Sequence, residues 1–325
     1  MADRQPLNAT FFAFRKRERG GVLLRTTLAF AALSLAAIAL FAWLNWRGVV
    51  DYINWAMALG QVAETADPKD PSAVFGAMMP PASVLSVFAG YFLFLIVFYL
   101  LWAAFEAACL KWMIRGETGG FFGLALNADT LRVYFTYWLW YFLFLALYLV
   151  IVLVGVGVVF GVVLGAQDNP EAAASTAVLL ALLFALALCV ALIYFAVRFA
   201  PAAATSIAAR RFAFFDAWTV TKGRFWALLG SFLLLFLMYF VGVMILSGLA
   251  TFAMVGGLMG QVQSSPQPQS VEEVFALFAA PSVWIPMAIC YGLMIAGAFV
   301  FYVALFGVNA RAAAAALEEG KIRAE

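Results

Sequence analysis

The chain has 325 residues, of which 66% are hydrophobic and only 11% charged, with a net charge of +2 and no histidine. Soluble domains carry about 25% charged residues, and a globule of this length could not hide so much apolar surface while still facing water. The composition excludes a water-soluble globule, and the small net charge excludes nucleic-acid binding, which needs a concentrated basic surface.

A bilayer core of about 30 Å is crossed by roughly 20 apolar residues in a helix. Six stretches meet that length: 22–46, 82–110, 133–165, 172–197, 225–259 and 282–310. They predict an all-α polytopic integral membrane protein with six transmembrane helices in a single transmembrane domain, and tails at 1–21 and 311–325. The first span follows a basic run, as the core of a signal peptide does. It is too long for one, and five more spans follow, so it is expected to stay as the first helix.

The first connection opens on an amphipathic stretch, 49–63, where Val50, Ile53, Trp55 and Leu59 interleave with Asp51, Asn54 and Gln61. This pattern predicts a helix lying on the membrane surface. Residues 67–81 hold four prolines and are expected to form a loop. Asn169-Pro170-Glu171 reads as a helix start, with Asn169 as cap, Pro170 in the first turn and Glu171 near the positive dipole end. Residues 261–270 are rich in Gln, Ser and Pro and predict a loop. Ser270 and Glu273 form a capping-box pattern ahead of a short surface helix over 274–278.

The charges fix the orientation. The segments 1–25, 111–132, 198–224 and 311–325 hold 17 of the 19 Lys and Arg residues. The other three connections carry Asp51, Glu64, Asp67, Asp70, Asp168, Glu171, Glu272 and Glu273, with only Arg47 and Lys69 as cations. Cationic loops stay on the cytoplasmic side. An even number of spans puts all four basic segments on that face, which predicts a bacterial inner membrane protein with both termini cytoplasmic. The clusters Arg15, Lys16, Arg17, Arg19 and Arg210, Arg211, Lys222, Arg224 are candidate contacts for anionic lipid, or serve orientation alone.

The chain shows a weak threefold repeat. Phe11-Phe12, Phe121-Phe122 and Phe214-Phe215 precede the first, third and fifth spans. The register that aligns the last two pairs has an offset of 93 residues. The second, fourth and sixth spans each run on into an Ala-rich extension. Three hairpins are expected, each an outward helix and a return helix with an Ala-rich overhang.

Arg198-Phe199-Ala200-Pro201, Asp216-Ala217-Trp218 and Thr221-Lys222-Gly223-Arg224-Phe225-Trp226 together resemble the signature around the fourth and fifth spans of a bacterial six-helix membrane-protein group. That group includes the membrane domain attached to some glycerophosphodiester phosphodiesterases, and stand-alone relatives. The resemblance implies the fold and a hint of lipid-related work. It implies no activity, because the catalytic domain has no counterpart in this chain.

Gly157, Gly161 and Gly165 recur every four residues on one face of the third span, the spacing of a close helix-packing seam. The seam is expected within the bundle or between protomers, the former being favoured. Cys109, Cys189 and Cys290 sit in apolar runs and are expected to be small core residues. Glu106 and Arg198 are the ionisable residues that stand within or at the edge of the apolar runs. They are either tethered at the interface or form a buried ion pair, structural or lining a lipid-headgroup site, and the repeat register sets them at similar depth.

No catalytic or metal-binding pattern stands out, so no cofactor or metal is expected and an enzyme ranks last. The leading expectation is a non-enzymatic membrane protein that binds membrane lipids, a protein partner or a second copy of itself. Its supports include aromatic belts at Trp43, Trp46, Trp138, Trp140 and Trp226. The alternative is a small-molecule or lipid transporter. It would want broken or polar helices, and only the glycines of the fifth span (Gly242, Gly248, Gly256, Gly257 and Gly260) speak for it.

Overall fold

The computed structural model describes residues 8–16, 21–65, 78–165, 170–264 and 280–324. In chain order the helices are α1 Phe12–Lys16, α2 Val22–Leu44, α3 Trp46–Thr65, α4 Ala82–Arg115 and α5 Ala128–Gly165. They continue with α6 Pro170–Phe199, α7 Ala202–Ala209, α8 Asp216–Thr221, α9 Phe225–Ser264 and α10 Pro281–Glu318. Six of them, α2, α4, α5, α6, α9 and α10, are long and apolar enough to cross a membrane. The chain is an all-α, multi-pass membrane protein. At most 22% of each apolar window is buried inside the protein, so hydrocarbon and not water must cover the rest.

Most spanning helices outrun the apolar runs that predict them. Helix α4 continues through Lys111 to Arg115 and α10 through Arg311 to Glu318, because charged residues at a helix end reach water or headgroups without breaking the backbone ladder. Helix α6 starts at Pro170, where a missing N–H costs nothing. Helix α9 runs to Ser264, into the stretch expected to be a loop. The 274–278 surface helix and most of 67–81 lie outside the described residues.

The contacts group the chain into two compact units. One comprises Gly21–Ala108 and Thr118–Tyr134, and the other comprises Met1–Gly20, Cys109–Glu117 and Phe135–Glu325.

In the smaller unit, α2 and the outer part of α4 form an antiparallel pair held by rings. Phe30 stacks on Phe105 at 4.6 Å and meets Trp102 edge-on at 5.2 Å, while Phe41 lies 4.8 Å from Phe94 further along. The amphipathic stretch is helical, as its spacing predicts, and α3 packs on the start of α4. A Cβ on Gly48 would sit 3.2 Å from the Ser83 carbonyl oxygen and run into Val87.

In the larger unit, α5 and α6 pair antiparallel. Gly155 faces the Phe184 ring, and Leu139, Trp140 and Leu143 pack near Phe195 and the buried Phe199. Helices α9 and α10 pair from end to end. Gly257 meets Ser282 and Val283, Tyr239 stacks on Phe301 at 4.6 Å, and Arg224 pairs with Glu319. Each expected hairpin is therefore present.

Burial in this unit concentrates at the ends of the return helices. All eight residues of α7 are buried, as are Ala310, Ala312, Ala313, Ala315 and Ala316 of α10. Alanine is what lets these backbones approach closely. The return elements also end alike: Gly116, Arg210 and Gly320 all take left-handed φ values, of 70°, 58° and 68°. Arg210 bonds Glu117 at 3.2 Å across the 93-residue offset. The second return helix breaks where the others run straight. Pro201 has no N–H to continue α6, so α7 restarts after it.

The Phe-Phe pairs do not share one environment. Phe12 and Phe214 are buried, whereas Phe121, Phe122 and Phe215 are exposed. Cys109 is buried, but Cys189 faces outward, because lipid rather than core covers that face of α6. The glycine seam finds no partner within the bundle among the described residues, and a seam between protomers is its alternative. A Cβ on Gly157, Gly161 or Gly165 would meet nothing within 4 Å among the described residues. Besides Gly257, a close glycine approach in this unit is at Gly307, whose Cβ would lie 2.9 Å from the Ala13 Cβ of α1. Gly307→Leu should therefore lower the melting temperature in detergent, while Gly161→Leu leaves it unchanged or slightly raised. Equal melting of the two variants would contradict this packing.

Candidate functional site

The residues that carry chemistry gather at the basic end of the larger unit, where α6 ends, α7 and α8 turn, and α9 begins. Pro201 breaks the helix, and the two buried hydroxyls just after the break find their partners on the backbone. Thr205 Oγ1 donates to the Pro201 carbonyl at 2.8 Å. Ser206 Oγ donates to the Ala202 carbonyl at 2.9 Å and accepts the Ala213 N–H at 3.1 Å. This anchors the chain so that α8 lies against the end of α6, with Phe199 stacked on Phe214 at 5.0 Å.

Arg198, in the last turn of α6, is the centre of this arrangement. Its guanidinium carbon lies 5.0 Å from the Trp218 ring centre, 5.3 Å from Tyr194 and 5.6 Å from Phe225. Its Nη1 donates to Thr221 Oγ1 at 3.4 Å, and its Nε, which is enclosed, has no acceptor among the described residues. The sequence predicts a carboxylate, Glu106, beside it. Within its own unit the cation is held by three rings and a hydroxyl, because ring faces present negative potential to a guanidinium without a second charge. Glu106 belongs to the smaller unit, where it is 6% exposed in the buried stretch of α4 that includes Phe105.

The candidate lipid cations fare unevenly. Arg210 pairs with Glu117, Arg211 with Asp216 at 2.5 Å, and Arg224 with Glu319, while Lys222 is exposed. Glu117 and Glu319 lie 93 and 95 residues from these partners, beyond the reach of local sequence patterns. Arg15 and Lys16 belong to α1, and Arg17 and Arg19 lie outside the described residues.

In the smaller unit, a tight turn presents Phe121 and Phe122. Thr26 Oγ1, in the second turn of α2, donates to the Phe122 carbonyl at 2.9 Å. Gly120, Phe122 and Gly123 all take positive φ, and a Cβ on Gly123 would come within 2.7 Å of that hydroxyl oxygen. The tie to the start of an apolar span places these exposed rings at membrane-boundary depth, where aromatic side chains are favoured.

The glycine-rich fifth span offers no break. Helix α9 is continuous from Phe225 to Ser264, and a Cβ on Gly257 would come within 4 Å of Ser282 and Val283. Among the described residues no group of three His, Cys, Asp or Glu side chains could hold a metal ion. No family model matches the chain, and no curated protein or solved structure matches it either.

If the rings hold Arg198, Trp218→Leu and Arg198→Gln should each lower stability by about 0.5–2 kcal/mol, and the double variant should cost clearly less than their sum. Thermal melts of the four proteins in one detergent check this, and strict additivity would contradict the contact.

Proposed function

We propose that the chain is a non-enzymatic multi-pass protein of the bacterial inner membrane, with both termini cytoplasmic, that binds anionic lipid in envelope function. One observation carries this reading. Of the 19 cations, 17 fall in segments that an even span count puts on one face. At that end of the larger unit stand an aromatic-held Arg198, an exposed Lys222 and a Trp226 that is 79% exposed. An anionic leaflet stabilises each surface cation by about 1 kcal/mol. The ion pairs of Arg210 and Arg211 do not remove this attraction, since exposed pairs contribute only about 0–1 kcal/mol and exchange readily for phosphate. The resemblance of 198–226 to a group that includes a membrane domain attached to lipid-related hydrolases supports the same reading.

Orientation is tested with single cysteines in a Cys-free background. Cysteines at Asp67, Asn169 and Gln267 should react with an impermeant thiol reagent added to intact cells, and those at Gly119 and Lys222 only after lysis. Reversal at any one site would break the six-span parity. Lipid selection is tested by mass spectrometry of the purified protein. It should retain phosphatidylglycerol over phosphatidylcholine, and joint Arg15→Gln, Lys16→Gln, Arg17→Gln and Arg19→Gln substitution should reduce that preference. Indifference of the wild-type protein to headgroup charge would refute the lipid reading.

A further inference from the structure

Arg198 poses a satisfaction problem. A guanidinium offers five N–H donors, and at this position one is taken by Thr221 Oγ1 while Nε has no acceptor among the described residues. The rings of Tyr194, Trp218 and Phe225 stabilise the charge, but ring faces do not accept the remaining in-plane donors. Nε itself is enclosed, but the residue as a whole is only partly buried, so its Nη donors can reach something outside the protein.

The surface beside it is an apolar groove of about 650 Å³ on α6, lined by Leu183, Leu186, Ala187, Val190 and Tyr194 among others. These positions follow the three- and four-residue spacing of one helix face. Arg198 is the next position on that face, four residues beyond Tyr194. The groove is open, and its lining is aliphatic except for aromatic rings at the end nearest the cation. Lys222, next to Thr221 in the chain, adds a second positive charge.

We infer that this face of α6 holds one anionic phospholipid, with an acyl chain along the groove from Leu183 to Phe195 and its phosphate on the Arg198 guanidinium. This rests on the lipid-binding reading and gives it an address. The phosphate oxygens supply the in-plane acceptors that the rings cannot. The groove supplies the apolar contact that free phosphate would not use. A partner transmembrane helix could cover the aliphatic lining, but it would leave the guanidinium donors unmet unless it also brought a carboxylate. Charge complementarity therefore selects the lipid.

The test uses the full chain, delipidated in mild detergent and titrated by native mass spectrometry with phosphatidylglycerol, phosphatidylcholine and inorganic phosphate. The wild-type protein should bind one phosphatidylglycerol in preference to phosphatidylcholine, and inorganic phosphate should not displace it. Arg198→Gln should weaken that binding about tenfold, the worth of a charge-assisted contact. Ala187→Trp fills the groove on an exposed face and should weaken it with melting unchanged, so it decides the matter even if Arg198→Gln folds poorly. Arg311→Gln, which breaks a pair with Glu318, should leave it unaltered. Wild-type affinity in both Ala187→Trp and Arg198→Gln, with phosphatidylglycerol still retained, would overturn this site and leave the broader reading standing. Displacement by inorganic phosphate would overturn the role of the groove. A wild-type protein indifferent to headgroup charge would overturn both.

Discussion

A cation or carboxylate left in hydrocarbon without a partner costs a few kcal/mol, about as much as many domains have in reserve. With only 11% charged residues, this chain can meet that constraint by keeping its charges at helix ends. The rest of the structure follows from it. Helices run past their apolar runs until Lys111, Arg115, Arg311 and Glu318 are clear of the spans. At the basic end of the larger unit, acids and bases from distant segments then meet. Glu117 holds Arg115 and Arg210, and Glu319 holds Arg224 and Lys321. Exposed pairs of this kind contribute little stability each. Their value lies in joining the end of α4 to the end of α7, and the start of α9 to the end of α10.

Packing energy is distributed in the same way. Apolar side chains along the spans gain nothing by turning inward, because lipid tails are as apolar as the protein interior. Close packing therefore rests on small residues where backbones touch. The alanines of α7 and of the last turns of α10, with Gly307 against Ala13, form that region. Arg198 stands at its edge, between the buried alanine end and the lipid-facing length of α6.

Much of this was legible in the sequence. Six charge-free runs, the Pro170 helix start and the Ala-rich overhangs all depend on local composition, and the structure contains each of them. The three hairpins follow from the same pattern, and the 93-residue register even brings Arg210 to Glu117. For the glycine seam, spacing shows only that backbones can approach, and among the described residues a Cβ on Gly157 or Gly161 meets none. The aromatic setting of Arg198 was missed for a different reason. Trp218 and Phe225 come near it only because Pro201 breaks the return helix and lets α8 fold back, and no periodicity reports such a turn. A hint existed in Arg198-Phe199-Ala200-Pro201 itself, where a proline follows an arginine at the end of an apolar run.

The proposed lipid site requires α6 to pass from hydrocarbon to headgroup at Arg198. Spin labels placed one at a time at Leu183, Val190, Ile193 and Phe212, all exposed, would measure it in bilayers by paramagnetic accessibility. Oxygen accessibility should be highest at Leu183 and fall steadily through Val190 and Ile193, and a water-soluble relaxant should dominate at Phe212. A label at Phe212 as deep as Leu183, or one at Leu183 open to the aqueous relaxant, would contradict the account.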